Sequence, residues 1–137
     1  MNESSKIPAN TKVFIVEDDT FISSLLVKKF ESIGAIVLTS GSGETSAASI
    51  KKEMPNIVVL DIMLPGADGF QVLQQIKSDP ETKNIPVIML SNLSEKVQIE
   101  KAKKYGVASF LIKATLSVDE IVEEVAKQLK VETMTRG

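Results

Sequence analysis

Ile57-Val58-Val59-Leu60-Asp61-Ile62-Met63-Leu64-Pro65-Gly66-Ala67-Asp68-Gly69-Phe70 decides the architecture of this chain. Its first four residues are apolar and largely β-branched, as in a strand buried on both faces, and a carboxylate follows at once. Pro65 and Gly66 suit a tight turn, and Gly69 lets the chain swing into a helix marked by Phe70, Val72, Leu73 and Ile76. The same order of apolar run, polar tip and helix recurs on either side. Val13-Phe14-Ile15-Val16 runs into Glu17-Asp18, Val87-Ile88-Met89-Leu90 into Ser91, and Phe110-Leu111-Ile112 into Lys113. Strand runs separated by helical stretches imply parallel strands joined by crossover helices. All the polar tips then lie at one sheet edge, beyond the carboxyl ends of the strands, where open parallel sheets bind ligands.

Working outward, strands are predicted over Lys12–Val16, Ala35–Thr39, Ile57–Leu60, Ile85–Leu90 and Ala108–Ile112. Helices are predicted from Asp19-Thr20 to Gly34, over Glu44–Met54, from Phe70 to near Ser78, from Ser94 through Lys104, and from Ser117 or Asp119 onward. Five βα units give an α/β fold: a five-stranded parallel sheet of order 2-1-3-4-5 in a doubly wound, three-layer αβα sandwich. At 137 residues the chain fits one domain, read as 11–130. It is preceded by a polar, disordered leader (1–10) and followed by a polar tail or linker stub (131–137).

Composition narrows the function classes. A net charge of −2 with interspersed signs gives no electrostatic case for direct binding to nucleic acid or an anionic membrane. No stretch approaches the roughly 20 apolar residues of a membrane span. With no cysteine and no histidine, disulfides, thiol chemistry and histidine-based catalysis are excluded, and a cytoplasmic location is the simplest expectation.

Chemistry is left to the strand ends. Glu17, Asp18 and Asp61 would repel one another if brought together, unless a cation offset their charge, and Mg²⁺ matches an all-oxygen donor set. Acids after strands also serve as helix caps, and Asp61 alone fits a cap or ligand as well as a nucleophile toward phosphorus. A strand-end serine such as Ser91 is most often a turn residue. Lys113 is more pointed: a lysine directly after Phe110-Leu111-Ile112 faces burial, and a buried ammonium needs an anion, which Asp61 can supply.

Taken together, Glu17-Asp18, Asp61, Ser91, Phe110 and Lys113 make the chain resemble the CheY-like receiver domain of two-component response regulators from about Lys12 to Leu129. The resemblance implies that Asp61 accepts a phosphoryl group from a sensor histidine kinase or phosphotransfer protein. It implies that Asp18 and Asp61 bind Mg²⁺ directly, that Glu17 holds it through water, and that the Met63 carbonyl is a further ligand. Lys113 would pair with the acceptor and then the phosphoryl group, Ser91 would be the switch hydroxyl, and Phe110 the aromatic that follows it. Phe110 also reads as plain strand packing. A downstream protein or a second copy would be met by the surface of the fourth helix, fifth strand and fifth helix. The domain would catalyse only its own phosphoryl transfer and a slow self-dephosphorylation.

Departures from the family pattern carry their own expectations. Ala114 follows Lys113 where the family usually has proline, which suggests a cis Lys113–Ala114 bond that brings the lysine to Asp61. Asn92, where a small residue is usual, narrows the approach. Met63 and Leu93, both apolar, flank the expected path of the hydrolytic water and cannot orient it, which implies a long-lived phosphoryl group. Two alternatives stand beside this reading: a receiver-like module that binds a partner without phosphorylation, and a Mg²⁺-dependent phosphatase or phosphotransferase on small molecules. Against the latter, the position two residues after Asp61, where such enzymes place a second acid, is Met63.

Overall fold

The computed structural model describes residues 7–92 and 96–136, with side chains through Lys130. Its elements run β1 (Lys12–Val16), α1 (Thr20–Ser32), β2 (Ile36–Ser40), α2 (Gly43–Glu53), β3 (Ile57–Asp61), α3 (Gly69–Ser78), β4 (Val87–Ser91), α4 (Lys96–Lys104), β5 (Ser109–Ile112) and α5 (Val118–Arg136). All strand pairings are parallel, in the expected order β2-β1-β3-β4-β5. The order reverses between β1 and β3, so Glu17-Asp18 and Asp61 emerge side by side.

Alternation along the strands builds two cores. Val13 and Ile15 of β1, Ile57 and Val59 of β3, and Ile88 and Leu90 of β4 pack with Leu26 and Phe30 of α1 and Val122 and Val125 of α5. The intervening residues Phe14, Val16, Val58, Leu60, Val87 and Met89 face Ile50 of α2, Val72, Leu73 and Ile76 of α3, and Ala102 of α4. β3 and β4 are buried at every residue, whereas the edge strands β2 and β5 are only partly covered. Apolar burial on both faces of the central strands therefore holds the carboxyl-end residues in fixed positions.

Side-chain caps set most helix starts. Asp19 accepts from the amides of Phe21 (2.9 Å) and Ile22 (3.1 Å), Ser42 accepts from Glu44, and Asp68 and Gln71 form a reciprocal capping box. Ser117 and Glu120 exchange the same bonds at the start of α5. The cap expected at Ser94 lies outside the described residues.

Three expectations need correction. Residues 7–10 are not a disordered leader: Ile7 is buried in the first core, and the amide of Asn10 donates to the carbonyl of Gly34 at 2.9 Å. An apolar residue that finds a pocket, plus one backbone bond, is enough to tie residues 7–10 to the fold. The backbone of 131–136 is not a tail but the end of α5, which runs to Arg136. Finally, no peptide among the described residues is cis, so Lys113–Ala114 is trans. Lys113–Thr115 instead forms a single 3₁₀ turn closed by the Leu116 amide on the Lys113 carbonyl, and the long lysine side chain covers the remaining distance.

Candidate functional site

At the carboxyl edge of the sheet a cleft of about 330 Å³ opens, lined by Glu17, Asp18, Asp61, Met63, Asn92 and Lys113 among others. Glu17 and Asp61 are buried and Asp18 is exposed, and one carboxylate oxygen from each lies within 4.8 Å of the other two. The β1–β3 pairing brings them there: Val16 is opposite Leu60, so the next residues of both strands leave the sheet together.

Lys113 closes the far side. Its Nζ donates to Asp61 Oδ2 at 3.1 Å, as expected, and sits 2.5 Å from Glu17 Oε1, which was not expected. No local sequence signal pairs residues 17 and 113; only the docking of β5 beside β4 brings the lysine across. The ammonium faces two acids whose side chains are nearly inaccessible. Burial alone would lower the Lys113 pKa, but hydrogen bonding and Coulomb attraction from Glu17 and Asp61 more than offset it and hold it above the ordinary lysine value. Glu17 is pushed above the usual carboxylate value, chiefly by burial and also by its neighbour Asp61, against the lowering pull of Lys113 and of the Asp19 amide.

That Asp19 amide, which donates to Glu17 Oε2 at 3.1 Å, is a contributor that sequence reasoning missed. Asp19 is legible as a helix cap; that its own N–H orients a neighbouring acid depends on the turn geometry. Gly69 is similar. Its amide donates to the Ile62 carbonyl at 2.6 Å, and a Cβ there would collide with the Asp61 carbonyl, so glycine lets α3 begin against the base of the acceptor strand.

Whether these residues suit Mg²⁺ is answered by their donor chemistry. Glu17, Asp18 and Asp61 each bring one carboxylate oxygen within 4.8 Å of the other two, and two of the three acids are buried. Three converging carboxylates are a hard, all-oxygen donor set that fits a small divalent ion.

Ser91 is buried as the last residue of β4, next to Ile112 across the β4–β5 pairing. Phe110 is half-buried opposite Met89 and packs against the second core. Met63 is largely exposed at the cleft mouth, and Asn92 is exposed on the same rim. Leu93 lies outside the described residues.

The family model for the response regulator receiver domain matches residues 13–126. This chain belongs to the response regulator receiver family. It is 29% identical over 127 residues to the response regulator PleD of Caulobacter vibrioides, covering 93% of this chain and 26% of PleD. The solved receiver domain of the Francisella response regulator 1452 superposes with a TM-score of 0.80 at 28% identity, covering 90% of this chain and 99% of that one. The receiver domain of sensor histidine kinase PA1611 from Pseudomonas aeruginosa PAO1, solved with magnesium coordinated in its active-site cleft, shares the fold at a TM-score of 0.78 and 19% identity. It covers 88% of this chain and 98% of its own. The chain spans 26–52% of the length of curated response regulators such as PleD and PhoB. Among the described residues no helix is long and apolar enough to cross a membrane.

Proposed function

We propose that this receiver domain is phosphorylated on Asp61, with Mg²⁺, by a sensor histidine kinase or phosphotransfer protein, and that the modification switches a protein-interaction surface. The supporting observation is the convergence of Asp61 with Glu17, Asp18 and Lys113 in one cleft. An Asp61 oxygen attacks the phosphorus in line, a P–O bond forms as the P–N bond to the donor imidazole breaks, and the electron pair leaves with the imidazole. Glu17, Asp18, Asp61 and the Met63 carbonyl would hold Mg²⁺, which supplies charge neutralisation to the phosphoryl oxygens. Lys113 follows the developing negative charge from its present place on Asp61 Oδ2, and the low-dielectric floor of the cleft strengthens that attraction.

The product adds about −1.5 to −2 charges. Ser91 donates its hydroxyl to a phosphoryl oxygen, and Phe110 packs further inward behind it. The α4–β5–α5 surface is thereby biased toward its active arrangement, a shift between two populated states that a downstream protein or a second copy can read. Incubation with Mg²⁺ and acetyl phosphate should add one phosphoryl group by mass, and Asp61→Asn should add none. Phosphotransfer from candidate kinases should follow the same pattern. A wild-type chain left unmodified, with no spectral response to beryllofluoride, would refute the proposal in favour of a module that binds without phosphorylation.

A further inference from the structure

We propose that the first turn of α2 is a positioning element of the cation site, acting through Gly43 and Gly66. The loop from Ile62 to Gly69 carries Met63, whose carbonyl is the expected backbone ligand; this inference rests on that reading. Met63 is 67% exposed, so packing of its side chain does not hold its backbone in place. Two backbone clamps do. One closes the base of the loop, where the Gly69 amide meets the Ile62 carbonyl at 2.6 Å. The other joins the loop to a different element: the Gly43 amide, at the start of α2, donates to the Pro65 carbonyl at 3.0 Å.

The second clamp needs glycine on both sides. A Cβ on Gly43 would strike the Ala67 carbonyl, standing 2.8 Å from its carbon. Gly66 has φ +86°, and a Cβ there would lie 2.9 Å from Glu44 Cβ. At Gly43 the contact is thus backbone against backbone, with no flexible side chain between to absorb a displacement. α2 is itself a firm abutment. Ser46 is fully buried and its hydroxyl bonds the Ser40 hydroxyl at 3.1 Å and the Ser42 carbonyl, while Ile50 is fully buried in the second core. A side chain at position 43 therefore moves the loop rather than the helix, and the Met63 carbonyl moves with it.

The experiment is a Mg²⁺ titration by calorimetry on the full chain, paired with thermal unfolding in chelator. Gly43→Ala should bind Mg²⁺ about tenfold more weakly, the scale seen when the support of a metal ligand is lost. Gly66→Ala should shift affinity in the same direction, because alanine is strained at φ +86° and its Cβ would meet the Glu44 Cβ, and it decides the matter if Gly43→Ala does not fold. Phe30→Leu, a destabilising change in the opposite core layer, should keep wild-type affinity, which separates positioning from general stability. Folded Gly43→Ala and Gly66→Ala chains with wild-type Mg²⁺ affinity would overturn the inference. A wild-type chain that binds no Mg²⁺ would overturn the proposed function first, and this inference with it.

Discussion

Replacing Lys113 by methionine tests the electrostatic centre of the site. The Lys113 side chain is 11% exposed, and its ammonium lies 2.5 Å from Glu17 and 3.1 Å from Asp61, whose side chains are 2% and 8% exposed. Lys113→Met keeps much of the aliphatic volume but leaves two buried carboxylates facing each other without a counter-charge. Removing one partner of a buried pair costs about 3–5 kcal/mol; the open mouth of the cleft admits water, so the low end applies, about 3 kcal/mol. For a domain of this size that is roughly a 10 °C fall in melting midpoint. The sign should then change its character with metal. The ammonium occupies oxygens of two of the three acids, so its removal should tighten Mg²⁺ binding; at one fixed Mg²⁺ concentration, about 100 times the wild-type Kd, wild type gains about 2.7 kcal/mol and the variant more. Thermal unfolding of wild type and variant, each in chelator and in Mg²⁺, measures both effects. Combining the change with Glu17→Gln should show a coupling of about 0.5–3 kcal/mol, because the two side chains are in direct contact. A Lys113→Met chain with the wild-type midpoint in chelator, or one that gains no more from Mg²⁺ than wild type does, would refute this account of the site.

Other consequences can be checked separately. Because the Glu17 pKa is raised on folding, its contribution to stability is fully present below the unfolded value of 4.5 and is lost as pH rises through the folded value. In chelator, urea midpoints of wild type should therefore fall over that window relative to Glu17→Gln; parallel pH profiles would show that burial of Glu17 is not the cause. Met63→Asn should shorten the lifetime of the phosphoryl group, since a polar side chain at the cleft mouth can orient water where methionine cannot, and an unchanged decay rate would count against that role. Asp68→Ala removes the capping box of α3 and should lower stability by about 1 kcal/mol in denaturant titration. Phe30→Ala, at a fully buried position in the first core, should cost about 3–5 kcal/mol by the same assay.

The fold was legible because its signals are local and mutually consistent. Runs such as Ile57–Leu60 and Val87–Leu90 are apolar on both faces, which only a sheet covered by helices on both sides accommodates. The helix start at Asp19 follows from a side chain that reaches the amides two and three residues on. The errors fell where a distant contact outweighs composition. Ile7 stands in a polar stretch and is nevertheless buried against the first core, and the path after Lys113 is a trans 3₁₀ turn rather than the cis bond the family pattern suggested.

What the amino-acid order alone determined is the identity and edge of the site: residue types at strand ends, with parallel topology, place Glu17, Asp18, Asp61, Ser91 and Lys113 at one rim. What only the tertiary structure decided is who touches whom across that rim. The Lys113–Glu17 contact spans elements at opposite ends of the chain, and the seating of Gly43 on the Ala67 carbonyl joins the start of α2 to the loop of the next unit. Strand and helix periodicities are properties of adjacent residues, whereas such contacts depend on how far each strand slides and each loop folds back once the core has closed. Those displacements are settled by packing summed over the whole domain, and no short stretch of sequence records that sum.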